Sequence, residues 1–157
     1  MCSRPRYYAG VVLTMQTQIA AHPETIRVLL CHQHPIFRSS LRSLLETAPK
    51  LRIVGEAANG REALILAEYC SPDIVVMDVK LVQPTGIAAA RMIASKRANA
   101  GIIFVGVDSD MEYVSEAFKA GARGYVLADC APTELVRAIE IVADGGRFLS
   151  AALPGGT

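Results

Sequence analysis

The stretch Pro72-Asp73-Ile74-Val75-Val76-Met77-Asp78 decides the fold that we expect for this chain of 157 residues. Its apolar residues follow one another without polar alternation, which is typical of a parallel-sheet strand that is covered on both faces. The run closes on Asp78, where the strand should end and a loop begin. Ligands of open α/β sheets bind at this end of the strands, so the surroundings of Asp78 decide what the site can do.

The rest of the chain alternates predicted strands with predicted helices. The strands are predicted at residues 26–31, 51–57, 73–78, 102–105 and 124–127, and the helices begin near Pro35, Asn59, Thr85, Ser109 and Pro132. Two helix starts resemble capping boxes, at Asn59–Glu62 and Ser109–Glu112, and Gly121 is expected to end the fourth helix. Alternation of this kind predicts an α/β fold in which a parallel five-stranded sheet carries helices on both faces.

Composition limits the classes of function that are open to the chain. It is 52% hydrophobic and 20% charged, with a net charge of +1, as in a soluble globular domain. The near-neutral balance gives no basic footprint for nucleic acid, and no apolar run approaches the ~18 residues of a membrane span. The cysteines show no paired spacing, so we expect buried reduced thiols at Cys31 and Cys70 and a cytoplasmic location.

Several phrases in the same order resemble the receiver domains of two-component response regulators, specifically the NarL/FixJ (LuxR-type) class. The phrases are Ile26-Arg27-Val28-Leu29-Leu30, His34-Pro35, Val54-Gly55-Glu56-Ala57-Ala58-Asn59-Gly60-Arg61-Glu62-Ala63, residues 72–78, Ala120-Gly121-Ala122-Arg123-Gly124-Tyr125 and Gly145-Gly146-Arg147-Phe148-Leu149-Ser150. The resemblance implies a flavodoxin-like (βα)5 three-layer sandwich with sheet order 2-1-3-4-5. It also implies that Asp78 stands at the phosphoacceptor position.

The same resemblance exposes departures around that position. Where the family carries an acidic pair after strand one, this chain has His32 and Gln33. The family has a hydroxyl residue at the end of strand four, where this chain has Gly106. The family has a lysine at the end of strand five, where this chain has Ala128. Mg²⁺ prefers carboxylate oxygens, and phosphoryl transfer depends on cationic groups to neutralise the transferred group. We therefore expect a degenerate pocket with weak or absent Mg²⁺ binding, no other cofactor, and very slow phosphorylation of Asp78.

Further residues of the pocket leave alternatives open. His32 is predicted to contact Asp78, which would raise the pKa of the imidazole, although both groups could equally face water. A transition-metal site with His34 and a small-molecule ligand are minor alternatives, and Lys80 could serve an unusual phosphoacceptor site. Tyr125 stands at the family's aromatic switch position. It is expected to rest inward because Gly106 leaves room, the alternative being an exposed ring.

Function follows from these expectations. We expect a non-enzymatic signalling module of a transcription regulator, which acts through protein contacts largely without phosphate. The alternatives are a phosphorylatable receiver, a small-molecule-binding pseudo-receiver and, least favoured, a small enzyme. Partners would be a second copy of the chain, a sensor histidine kinase, and DNA only through a C-terminal helix-turn-helix domain that is not in this chain, with no membrane contact. Helix one or helix five could form the dimer contact, and so could a mixed-charge face on helix four, strand five and helix five. The charged residues of that face are Glu112, Glu116, Lys119, Arg123, Arg137 and Glu140.

The domain boundaries expected from the sequence are simple. Residues 1–25 should form a disordered leader and residues 26–146 the receiver domain. Residues 147–157 should begin a linker toward the absent output domain.

Overall fold

A computed structural model of the chain describes residues 25–107 and 109–156. The expected leader, residues 1–25, therefore lies outside the described residues except for Thr25. Within the described ranges, no helix is both long and apolar enough to cross a membrane.

Among the described residues, six parallel strands form one sheet of order β2-β1-β3-β4-β5-β6. The strands are β1 Ile26–Cys31, β2 Leu51–Ala57, β3 Ile74–Asp78, β4 Gly101–Gly106, β5 Gly124–Leu127 and β6 Phe148–Leu149. Every residue of β3 is buried, as its uninterrupted apolar sequence predicts. The order of the first five strands confirms the flavodoxin-like arrangement.

Within the described part of the chain, five α-helices cover the two faces of the sheet. They are α1 Pro35–Glu46, α2 Gly60–Cys70, α3 Gly86–Lys96, α4 Met111–Lys119 and α5 Ala131–Ala143, the last preceded by a 3-10 turn at Ala128–Cys130. The side chain of Asn59 caps α2 by accepting the Glu62 N–H at 2.9 Å, as the capping box predicts. Helix α4 differs from expectation, because its capping side chain is Asp110 rather than Ser109.

The core divides into two layers, one on each side of the sheet. One layer joins the sheet to α2, α3 and α4, and it includes Phe104 and Tyr125. The other joins the sheet to α1 and α5, and it includes Leu45 and Leu135. The three-layer sandwich expected from the alternation of elements is therefore confirmed.

The sixth strand corrects the predicted strand count of five. Phe148 and Leu149 pair with Gly124 and Tyr125, within the stretch that we expected to begin a linker. Phe148 is only 2% exposed, and Leu153 beyond it is 3% exposed. A strand of two residues is too short to give a periodic apolar signal, so sequence patterns could not predict it.

The cysteines depart from expectation at one position. Cys31 and Cys130 are free thiols, whereas Cys70 is disulfide-bonded, so the expectation of a reduced thiol is wrong at Cys70. Burial raises the pKa of the Cys31 thiol, which keeps it protonated and unreactive in the core.

Candidate functional site

A small pocket of about 130 Å³ lies at the carboxyl end of the sheet. It is formed where β1, β3, β4 and β5 end side by side, as expected for a parallel sheet. Six of the predicted site residues line it together: His32, Gln33, Asp78, Lys80, Gly106 and Ala128. His34, Phe37, Val105 and Val107 complete the lining. The positions singled out from the sequence are thus neighbours in space.

Asp78 lies at the floor of this pocket, at the end of β3. It is 8% exposed, and its Oδ1 accepts the backbone N–H of Lys80 at 3.1 Å. Its other carboxylate oxygen, Oδ2, lies 3.5 Å from Nε2 of His32. This distance is longer than a good hydrogen bond but close enough for electrostatic attraction.

His32 is buried beside Asp78, with only 3% of its surface exposed. Its Nδ1 accepts the backbone N–H of His34 at 3.1 Å, and the Phe37 ring lies with its centroid 4.5 Å from the imidazole centroid. A ring nitrogen that accepts a hydrogen bond carries no proton, so the proton of the neutral ring belongs on Nε2. That proton faces the Asp78 carboxylate.

The charge state of His32 differs from expectation. Contact with Asp78 was expected to raise the pKa of the imidazole, but burial lowers it, and the attraction of Asp78 only partly offsets that effect. Nearby His34 and Arg38 lower it further. The alternative that both groups face water is wrong as well, because both side chains are buried. The pair is therefore a neutral imidazole beside a carboxylate.

Arg38 holds the backbone next to this pair, a role that no sequence motif indicates. Its Nη1 donates to the carbonyl oxygen of His32 at 2.6 Å, while its Nε lies 3.3 Å from Oε1 of Glu56. Arg42, one turn further along α1, places its Nε 3.1 Å from Oε2 of the same carboxylate. The spacing of the two arginines along one helix was visible in the sequence, but their shared acidic partner at the end of β2 was not.

Tyr125 lies inward, as expected, and is fully buried. The structure brings its hydroxyl against the backbone of Gly106, where a β-carbon at position 106 would overlap the hydroxyl and lie 2.9 Å from Cγ1 of Val79. The missing side chain at position 106 therefore leaves the space that the Tyr125 ring fills. A larger residue at position 106 requires the ring to move.

The lining of the pocket offers Mg²⁺ few of the ligands that it prefers. Among the lining residues Asp78 supplies the one carboxylate, Gln33 offers a neutral amide, and Nδ1 of His32 is already engaged. No group of three metal-ligating side chains occurs within residues 25–107 and 109–156. Hard cations prefer several oxygen ligands, especially charged ones, and Asp78 is the charged oxygen ligand of this lining.

A larger apolar groove lies elsewhere, between α2 and α3. It has a volume of about 340 Å³ and is lined by residues that include Leu64, Ile65 and Met92. None of the predicted site residues contributes to it, and its charged lining residues are Glu68, Lys96 and Arg97. The pocket at Asp78 is the better candidate site on chemical grounds.

Comparisons with known proteins agree with this geometry. The sequence pattern of the family described as "Response regulator receiver domain" matches residues 28–140. The nitrate/nitrite response regulator protein NarL of Escherichia coli (strain K12) is 33% identical over 133 residues, which cover 85% of this chain and 62% of NarL. The chain thus spans about three fifths of that relative's length.

Solved structures give the same result. A two-component response regulator of the LuxR family from Aurantimonas sp. SI85-9A1 is 40% identical, with a TM-score of 0.76, over 82% of this chain and 90% of that one. The signal receiver domain of the putative response regulator NarL from Mycobacterium tuberculosis is 29% identical, with a TM-score of 0.75, over 78% and 99% of the two chains. Similarity therefore extends across most of the described fold.

Proposed function

The chain belongs to the response regulator receiver family, with relatives of the NarL/LuxR type, and on that premise we propose that it is an atypical receiver that signals without phosphate. In this proposal it acts through protein contacts of a fixed conformation. It is the regulatory, signal-transducing module of a LuxR-type transcription regulator.

The composition of the Asp78 pocket is the observation that carries the proposal. A phosphoryl group transferred to Asp78 would meet a neutral imidazole, an amide, a glycine and an alanine at the positions of His32, Gln33, Gly106 and Ala128, and Lys80 is the lysine of the lining. Removing one charge-stabilising donor from such a site typically slows a reaction about 10²–10³-fold. Several losses together, even without strict additivity, leave phosphorylation of Asp78 too slow to serve as a switch.

The inward Tyr125 supports a fixed conformation. Receiver signalling through a mobile aromatic needs two states of similar free energy, between which a ligand selects. Here the space over Gly106 is filled by the tyrosine hydroxyl. We therefore assign the chain one resting state, no catalytic activity of its own and no cofactor.

The proposed partners are a second copy of the chain and an output domain. Relatives named as response regulators extend beyond the region matched here. We therefore propose that a C-terminal domain outside the matched region binds DNA. We also propose that the protein is located in the cytoplasm, where the DNA is. Within β5, Gly124 and Tyr125 pair with β6. The candidate dimer contacts are the face of α4, β5 and α5, and the surfaces of α1 or α5. A sensor histidine kinase is a further proposed partner.

Intact-mass measurement tests the proposal directly. The chain is incubated with acetyl phosphate and Mg²⁺, with the Asp78→Asn variant as control. We expect no gain of mass in either protein. Stoichiometric gain of one phosphate in the natural chain and none in the variant would overturn the proposal and establish Asp78 as a working phosphoacceptor.

A further inference from the structure

The segment that follows α5 is fastened to the domain at several points. Beyond the short strand β6, Ser150 is fully buried, and its N–H donates to the carbonyl oxygen of Tyr125 at 2.9 Å. The N–H of Leu153 donates to the carbonyl oxygen of Ser150 at 3.0 Å. The Leu153 side chain belongs to the same core cluster as the Tyr125 ring. The chain is therefore held against the domain at least to residue 153.

The buried side chain of Ser150 is the centre of a half-buried polar arrangement. Its hydroxyl donates to Oε1 of Glu134 and accepts the N–H of Leu127 at 3.0 Å. The second carboxylate oxygen of Glu134 accepts the N–H of Ala151 at 3.1 Å. We call these four residues the Ser150 clasp. Through it, the first turn of α5 holds two consecutive residues of the exiting segment.

Tyr125 connects this clasp to the Asp78 pocket. Its hydroxyl lies against Gly106 in the pocket wall, while its carbonyl oxygen binds Ser150. Tyr125 is also the residue of β5 that pairs with Leu149 of β6. One residue thus contacts the pocket with its side chain and the exiting segment with its backbone.

We propose that the Ser150 clasp and the inward Tyr125 stabilise each other, so that the segment beyond Ser150 leaves the domain in one direction without phosphate. The inference rests on the proposed function, because in a phosphate-driven receiver the ligand, rather than the clasp, would select the tyrosine state. The physical basis is burial. Loss of the buried Ser150 hydroxyl leaves the Leu127 N–H and a Glu134 oxygen, both half-buried, without the hydrogen-bond partner that they have in the structure. Coupling between the two features must also be reciprocal.

Hydrogen exchange in the Ser150→Ala variant tests one direction of this coupling. The full chain is used, without Mg²⁺ or a phosphodonor. In this variant we expect the amides of Leu127, residue 150 and Leu153 to exchange about ten- to a hundredfold faster. The loss of one hydrogen-bond partner typically changes a local opening equilibrium by that factor. The NMR signals of the Tyr125 ring should shift in the same variant. Ser40→Ala, which removes a hydroxyl that donates to Ile36 on an exposed face of α1, is the matched control and should change neither.

The reverse direction uses Tyr125→Leu, which keeps an apolar residue in the core. We expect faster exchange at Ser150 and Leu153 and, in the variant that combines both changes, an effect smaller than the product of the single effects. Glu134→Gln gives a milder perturbation if Ser150→Ala does not fold. Faster exchange with an unmoved Tyr125 ring, or effects that simply multiply, would overturn the inference and reduce the clasp to a local anchor. Neither measurement involves phosphate, so failure here is distinct from failure of the proposed function.

Discussion

Nε2 of His32 lies 3.5 Å from Oδ2 of Asp78, in a contact between a neutral imidazole and a buried carboxylate. The Nδ1 of the same ring accepts a backbone N–H, which leaves the proton on the nitrogen that faces Asp78. Protonation of Nδ1 would break that hydrogen bond and place a charge in a desolvated site. Burial of the ring and the hydrogen bond at Nδ1 therefore both favour the neutral imidazole, in agreement with the lowered pKa of His32.

The first prediction concerns the pH dependence of stability. Because the folded-state pKa of His32 is lowered, the unfolded chain binds more protons at that residue than the folded chain does. The free energy of unfolding should then be highest above the unfolded pKa, near 6.5, and should fall as the pH drops below it. Urea unfolding between pH 5 and 8 measures this slope. His32→Asn, which retains an acceptor for the His34 N–H, should flatten it.

The control for this prediction is His34→Gln, since His34 is exposed. Because His34 is one of the smaller causes that lower the pKa of His32, that variant should flatten the slope less than His32→Asn does. An unchanged slope in His32→Asn would show that other groups govern the acid sensitivity.

The second prediction concerns Gly106. Replacement by threonine should force the Tyr125 ring from its inward position, because a β-carbon there overlaps the tyrosine hydroxyl. Overpacking of this kind typically costs about 1–3 kcal/mol in the free energy of unfolding. Urea unfolding measures the cost, and near-ultraviolet circular dichroism reports the tyrosine environment. Adding Tyr125→Phe should recover part of the stability, and a Gly106→Thr variant as stable as the natural chain would contradict the expected overlap.

The third prediction separates two arginines that share Glu56. Arg38→Gln should lower the free energy of unfolding by about 1–3 kcal/mol, because the His32 carbonyl oxygen loses a charged donor in a half-buried site. Arg42→Gln removes only a partly exposed ion pair and should cost about 0.2–1 kcal/mol. Chemical denaturation of the two variants side by side makes the comparison. Equal losses would mean that the contact with His32 adds nothing beyond the ion pair.

The sequence predicted the parts of this fold that depend on local pattern. The apolar run of β3 and the capping side chain of Asn59 both lie where their residue types require. The gathering of the pocket residues followed from strand order alone. The remaining features depend on distant contacts: β6 has too few residues for a pattern, and the charge state of His32 depends on how deeply the fold buries it.

The last prediction restores the missing groups of the pocket. A variant with His32→Asp, Gln33→Asp and Ala128→Lys would surround Asp78 with two further carboxylates and a cation, which are the groups that magnesium-assisted phosphoryl transfer requires. If the lack of these groups is what slows phosphorylation of Asp78, this variant should take up phosphate from acetyl phosphate at least about a hundredfold faster than the natural chain. The uptake should require Mg²⁺. Intact-mass measurement over time gives both rates. Asp78→Asn in the restored background should abolish the gain, which places the phosphate on that carboxylate. A restored variant that folds, binds Mg²⁺ and still takes up no phosphate would show that Gly106 and the inward Tyr125 also block the site, because the three replacements leave that part of the pocket wall unchanged.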